Sequence, residues 1–170
     1  KDFEYIVIDG NSSDQTKDLI INSKLITRYL IEKDNGIYDA WNKGLKLSRG
    51  NWIMFLGAGD IIFPNLLDNY NFFLDKKSGT NFDFIHCNIL LGNKTINSFW
   101  TWKIFKKYMN IPHCGGIHNK NYFIEYGEFD DEFQIAGDYE ILLRKKKELN
   151  VGKINSTGII MAEDGISQNN

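Results

Sequence analysis

Hydrophobic positions along the chain fall into short runs separated by small polar turns. The first run, FEYIVID over residues 3–9, is apolar at most positions and ends on an acid. Runs of this kind, without strict alternation, belong to strands covered on both faces, as in a parallel sheet. GNSSDQT follows, with a capping-box pattern from Ser12 to Gln15 ahead of a helix through Leu19, Ile20 and Ile21. TRYLIE, residues 27–32, reads as a second strand, and Lys33-Asp34-Asn35-Gly36 as a turn. Ile37, Ala40, Trp41, Gly44, Leu45 and Leu47 then recur at helical spacing, which predicts a helix with one buried stripe.

Arg49-Gly50-Asn51 ends that helix, and residues 52–56 give a third strand running into Gly57-Ala58-Gly59-Asp60. Pro64 is placed to open a helix carrying Leu66, Leu67 and Tyr70. Residues 83–90 read as a fourth strand. The stretch 91–119 is irregular and aromatic-rich, with Phe99, Trp100, Trp102 and Phe105 close together. Helices are expected near 120–126 and over 138–149, then a late strand over 151–161 and a polar tail. Alternation of strand and helix through the first half predicts the α/β class with a mostly parallel sheet flanked by helices. No repeat or low-complexity tract divides the 170 residues, so one domain is expected.

Composition narrows the function classes. A hydrophobic content of 42% supports a core, and a net charge of -2 gives no global field for nucleic acid, which is not expected as a partner. The small basic groups Lys103, Lys106, Lys107 and residues 144–147 read as solvated helix faces. Cys87 and Cys114 form no disulfide framework, no secretory leader pattern is seen, and no run reaches the ~18 apolar residues of a membrane span. A reducing, cytoplasmic setting follows as the expectation.

Ligands of open parallel sheets bind beyond the carboxyl ends of the strands. Asp9 and Asp60 directly follow apolar runs, and Asp34 lies just after the second strand, so three acids are expected on one rim. Such a rim can hold Mg²⁺ or Mn²⁺ against phosphates, or accept hydrogen bonds from a base or ribose. Neither G-x-x-x-x-G-K-[ST] nor G-x-G-x-x-G occurs, which argues against a P-loop enzyme and a dinucleotide-binding dehydrogenase. In FQIAGDYEILLR, Asp138 stands at a helix start, where it serves either as a cap or as a general base. The pairs His86-Cys87 and His113-Cys114 lack zinc-site spacing, and neighbours in a strand point to opposite faces. His113 is expected to line a pocket instead.

Four motifs taken in order, D-G-N-S-S-D-Q-T, K-D-N-G-I-Y-D-A-W-N-K-G, F-L-G-A-G-D and I-A-G-D-Y-E, resemble glycosyltransferase family 2 with the GT-A fold. The likeness is strongest to bacterial enzymes that build surface polysaccharides such as lipopolysaccharide, and the segment 34–44 is its most specific part. The resemblance implies inverting transfer of a sugar from a nucleotide-diphosphate donor to a glycan or glycolipid acceptor. It implies that residues 1–90 form a nucleotide-sugar-binding half and 91–170 the acceptor and catalytic-base half. Asp9 is similar in position to the acid that contacts the nucleotide base, while Asp34 faces the donor pocket, with Asn42 supporting that wall. Asp60 resembles the last acid of the metal motif and is expected to bind Mn²⁺ or Mg²⁺. Asp138 resembles the base, and His113 is expected at donor phosphate or acceptor. Peripheral association with the inner face of the membrane and homo-oligomerisation are both compatible with it.

Two departures stand out. Glycine replaces a second acid beside Asp60, and the family's first strand is expected before Lys1, so the chain reads as N-terminally truncated. These departures sustain an alternative, a catalytically weak GT-A-like module that binds nucleotide sugar or a partner. A nucleotidyltransferase would need a Gly-rich basic N-terminal loop, which is not seen.

Overall fold

The computed structural model describes residues 3–97 and 99–162. Its strands are β1 (Ile6–Asp9), β2 (Arg28–Ile31), β3 (Trp52–Met54), β4 (Ile61–Ile62), β5 (Phe84–Leu91), β6 (Lys94–Ile96), β7 (Ile117–Asn119) and β8 (Val151–Met161). The helices are α1 (Thr16–Asn22), α2 (Ile37–Leu47), α3 (Leu66–Lys76), α4 (Trp102–Phe105), α5 (Lys120–Tyr126) and α6 (Gly137–Leu143), with a 3-10 turn at Lys146–Glu148.

β1 and β2 pair in parallel, from Ile6 opposite Arg28 to Asp9 opposite Ile31. The larger sheet runs β3-β7-β5-β8-β4, with β6 on the end of β5. Within it β5 and β8 are parallel, and the remaining ladders are antiparallel. The α/β class holds, and among the described residues parallel pairing is confined to β1–β2 and β5–β8.

β5 shows why its sequence is apolar throughout. Successive side chains of a strand face opposite ways, and both faces of this one are covered. Phe84 belongs to a core with Tyr38, Phe55, Phe105, Phe129 and Ile141. Ile85, Cys87 and Ile89 belong to another, with Leu66 and Tyr70 of α3 and Ile159 of β8. Helices therefore lie on both sides of the sheet, α3 on one and α2, α5 and α6 on the other.

Several elements depart from the pattern-based expectation. β3 stops at Met54 because its partner β7 has only three residues, with Met54 opposite Ile117. The stretch 91–119, expected to be irregular, holds β6, α4 and β7. β6 folds back on β5 through Gly92-Asn93, a dipeptide that suits a two-residue hairpin turn. The helix expected over 138–149 ends at Leu143, and Lys146 adopts a positive φ of 55°, which a right-handed helix cannot include.

His86, His113 and His118 are all buried on the Phe84 side of the sheet. Burial lowers the imidazole pKa of each, that of His86 from 6.5 to about 4, with the charge of Lys153 pushing the same way and its bond to the Cys87 carbonyl opposing. Between those two values the unfolded chain binds more protons than the folded one. Stability is thus full above the unfolded pKa and declines as pH falls toward the folded one. Urea denaturation should show a loss on the order of 2–3 kcal/mol from His86 alone between neutral pH and pH of about 4. His86→Phe should flatten that slope, and an unchanged slope would contradict a neutral buried His86.

Candidate functional site

The end of β1 is folded back on itself. The Asp9 carboxylate accepts the Ser12 amide at 2.9 Å and the Ser12 hydroxyl at 2.5 Å. Ser12 therefore does not cap α1 as the capping-box pattern predicts. The helix starts at Thr16, whose amide donates to Asp14 Oδ1 at 3.0 Å, and the Gln15 side chain makes no capping bond. Asp34 reaches the same turn from the far end of β2. Its Oδ1 accepts the Gly36 amide at 3.1 Å, and a Cβ added to Gly10 would lie 2.5 Å from its Oδ2. Glycine at position 10 is thus what lets the two acid-bearing turns meet.

Asp60 closes the turn after β3. Its Oδ2 accepts the Gly57 amide at 2.9 Å and the Cys114 thiol at 3.1 Å, while its Oδ1 accepts the Ala162 amide at 3.1 Å. Burial pushes the Cys114 thiol pKa far up, and the neighbouring Asp60 adds to this, so Cys114 is a neutral donor and not a thiolate ligand. Among the described residues no group of three or more His, Cys, Asp or Glu is arranged to hold a metal ion. A lone carboxylate nonetheless suits Mg²⁺ or Mn²⁺, hard ions commonly held by one or two carboxylates together with substrate phosphates and water. The donor set fits an ion shared with a ligand, and does not form a cage of its own.

The Asp138 side is built on α2 and α6. Ala136 precedes α6 in the left-handed conformation, φ 66°, and this turns the start of the helix so that Gly137 packs beneath the Tyr38 ring. The Tyr38 hydroxyl donates to Asp138 Oδ1 at 3.3 Å. Burial, with the Asp138 charge second, pushes the Tyr38 pKa up to about 12, which keeps that donor protonated. His113 stacks on Trp41 at 5.1 Å and shares an Nε2–Nε2 hydrogen bond of 2.8 Å with His118. Burial lowers its pKa against the opposing pull of Asp138. His113 is consequently a buried neutral group under the Asp138 region and not an open pocket wall. Cys114, the next residue, turns the other way to Asp60, and His86 and Cys87 likewise serve opposite faces, so neither pair is a zinc site.

Asp9 and Asp34 thus form one cluster, Asp60 a second and Asp138 a third. The loop at 113–116 links the last two, with Cys114 on Asp60 and His113 on the Trp41 stack. Tyr38, Trp41, Cys114 and His118 are contributors that the motifs alone did not single out. Tyr38 and Trp41 do stand inside the most specific motif, in IYDAW.

A model of the family Glycosyl transferase family 2 matches residues 1–124. A PGL/p-HBAD biosynthesis glycosyltransferase of Mycobacterium tuberculosis is 27% identical over 154 residues, covering 84% of this chain and 58% of the relative. A glycosyltransferase of Rickettsia prowazekii is 22% identical over 155 residues, covering 83% of this chain and 48% of the relative. The chain thus spans about half the length of these curated relatives. Among solved structures, S. aureus TarS in complex with UDP-GlcNAc superposes with a TM-score of 0.73 at 16% identity, over 99% of this chain and 52% of that one. Mannosyl-3-phosphoglycerate synthase from Rubrobacter xylanophilus gives 0.58 at 14%, over 91% and 55%. These likenesses show a shared fold.

Asn42 is buried, and both of its side-chain polar atoms are engaged. Its Nδ2 donates to the Phe129 carbonyl at 2.8 Å and its Oδ1 accepts the Phe129 amide at 2.9 Å, pinning to α2 the loop that leads to Asp138. Asn42→Ala removes both bonds and leaves the Phe129 backbone groups buried without partners, a loss of about 2–3 kcal/mol in urea denaturation. Proteolytic cleavage within residues 127–136 should rise in parallel. A variant as stable and as resistant as wild type would show that the tether does not hold this loop.

Proposed function

The chain belongs to glycosyl transferase family 2, and we propose from that premise that it moves a sugar, with inversion, from a nucleotide-diphosphate sugar to an acceptor hydroxyl. The acceptor is a glycan or glycolipid of a bacterial surface polysaccharide. One observation carries the reading: the acid that ends β1 and the acid that follows β2 crowd a single turn, with the Asp34 carboxylate seated on Gly10. Two carboxylates at one turn suit the N–H and O–H donors of a nucleoside, because an ionised carboxylate only accepts. Asp9, already oriented by Ser12, takes the base, and Asp34 faces the ribose and sugar side.

Asp60 would hold a divalent ion, Mn²⁺ or Mg²⁺, together with the donor's diphosphate; when bound, that ion offsets the negative charge growing on the leaving group. Asp138 acts on the acceptor. Tyr38 occupies its Oδ1, which leaves Oδ2 to take the proton of the attacking hydroxyl. The acceptor oxygen bonds to the anomeric carbon, the bond to the diphosphate oxygen breaks, and the proton stays on Asp138. His113, neutral and stacked on Trp41, gives the region beneath Asp138 a polar but uncharged floor. Among the described residues no helix is long and apolar enough to cross a membrane.

A second reading, a nucleotide-sugar-binding module without turnover, is favoured by Asp60, whose oxygens already receive Gly57, Cys114 and Ala162. Turnover of nucleotide sugars with Mn²⁺ separates the two. Asp138→Asn should lower the rate by about 10²–10⁴-fold and leave calorimetric binding of nucleoside diphosphate unchanged. Asp60→Asn should instead weaken the Mn²⁺-dependent part of that binding. Wild-type binding without turnover supports the module, and absence of both overturns the nucleotide-sugar assignment.

A further inference from the structure

One part of the chain carries charge of a single sign. No Asp or Glu occurs between Asp83 and Glu125, although the whole sequence has 22 acids against 20 Lys and Arg. Five lysines stand in that stretch: Lys94, Lys103, Lys106, Lys107 and Lys120. Lys120 is committed to the Ser48 carbonyl at 2.5 Å. Lys103, Lys106 and Lys107 are exposed and make no ion pair among the described residues.

These three alternate with aromatic residues in FWTWKIFKKY, residues 99–108. Phe99 is 62% and Tyr108 59% exposed, and the bond from Asn110 to the Phe99 carbonyl holds the two ends of the segment together beside the lysines. The segment is nonetheless firmly seated. Phe105 is fully buried, with the Trp100 ring set edge-on 4.7 Å from it. The Tyr139 hydroxyl donates to the Phe105 carbonyl, and Asn110 Nδ2 donates to the Phe99 carbonyl at 2.8 Å. Tyr139 directly follows Asp138, so the helix that bears Asp138 also carries this segment.

We infer that residues 99–108 are a docking surface for a bilayer of anionic phospholipid. Exposed aromatic rings suit the headgroup–acyl boundary, and lysines beside them meet anionic headgroups. The net charge of -2 sharpens the orientation, since the rest of the molecule gains nothing from an anionic surface and the acid-free stretch is drawn to it. Reading Lys103, Lys106 and Lys107 as a merely solvated face, as the sequence suggests, leaves Phe99 and Tyr108 without a role. Docked in this way, the protein meets lipid-borne acceptors on the segment that packs against α6. The inference deepens the transfer reading and rests on it for the acceptor, while lipid binding itself is measured without any turnover.

The full chain should float with phosphatidylcholine vesicles containing phosphatidylglycerol, fail to float with phosphatidylcholine alone, and release as salt is raised. Each lysine near such a surface strengthens binding roughly fivefold, so Lys103→Gln, Lys106→Gln and Lys107→Gln together should weaken it on the order of 10²-fold. Lys76→Gln with Lys77→Gln, on the opposite side of the sheet, should change little. Phe99→Ser with Tyr108→Ser should weaken vesicle binding and leave retention on heparin unaltered. No flotation with phosphatidylglycerol, or equal flotation of the triple variant, overturns the proposal. So does an unchanged Phe99→Ser/Tyr108→Ser variant that binds heparin as tightly as vesicles, since that assigns the lysines to soluble polyanions. Intact flotation without turnover on any soluble acceptor counts against the transfer reading alone, and intact turnover without flotation counts against the surface alone.

Discussion

The inward face of α2 is the constraint on which the rest of the molecule depends. Tyr38, Trp41, Asn42 and Leu45 stand at positions i, i+3, i+4 and i+7, so they line one side of the helix. Tyr38 donates to Asp138, Trp41 stacks on His113, and Asn42 clamps the Phe129 backbone from both of its polar atoms. Immediately before the helix, Asp34 accepts the Gly36 amide and lies against Gly10. This helix of eleven residues, with its lead-in turn, thus touches the turn after β1, the loop before α6 and the buried histidines. Positional error in one cluster is therefore shared with the others and does not accumulate between them.

The second joint is the loop at 113–116. A side chain at Gly115 would overlap Ile159, and one at Gly116 would overlap the Phe84 ring, so the backbone there has no lateral freedom. The Gly115 carbonyl also accepts the Tyr70 hydroxyl at 2.7 Å, which ties the loop to α3 on the far side of the sheet. Held in this way, consecutive residues serve opposite ends of the site, Cys114 facing Asp60 and His113 facing Trp41. The neutral Cys114 thiol satisfies one oxygen of Asp60 without adding charge, which leaves the net charge of that carboxylate available to a cation.

What the residues alone could reveal follows from how local each feature is. Strand ends, the helix over Ile37–Leu47 and the late strand Val151–Met161 depend on patterns within a dozen residues, and they are readable. The most specific motif, residues 34–44, coincides with α2 and its lead-in turn, so its side chains share one helix face and one set of partners. Ser12 illustrates the opposite case. Its spacing to Gln15 fits a capping box, yet Asp9, three residues earlier, offers its hydroxyl a charged acceptor, and charge-assisted hydrogen bonds are the stronger kind. Cys114 and His118 were illegible because their partners lie across the sheet or around a turn, and no sequence spacing encodes a contact between Cys114 and Asp60. β6 was legible in principle, since Gly92-Asn93 between apolar and β-branched residues is a hairpin signal, but nearby aromatics masked its period.

Asn42 shows why a motif position need not be a contact position. As a site residue it was expected to support the donor wall; its two hydrogen bonds instead run to the loop before α6, on the base side. Asp34 thus stands in the turn that leads into α2, and the tether of the loop before α6 stands in the middle of the same helix. If nucleotide sugar binds at Asp34, any shift it causes at Gly36 and Tyr38 passes through α2 to Asp138 and Phe129 by direct contact. The lead-in turn and the inward face of α2 therefore form one continuous run of hydrogen bonds and packed rings from Gly10 to Phe129.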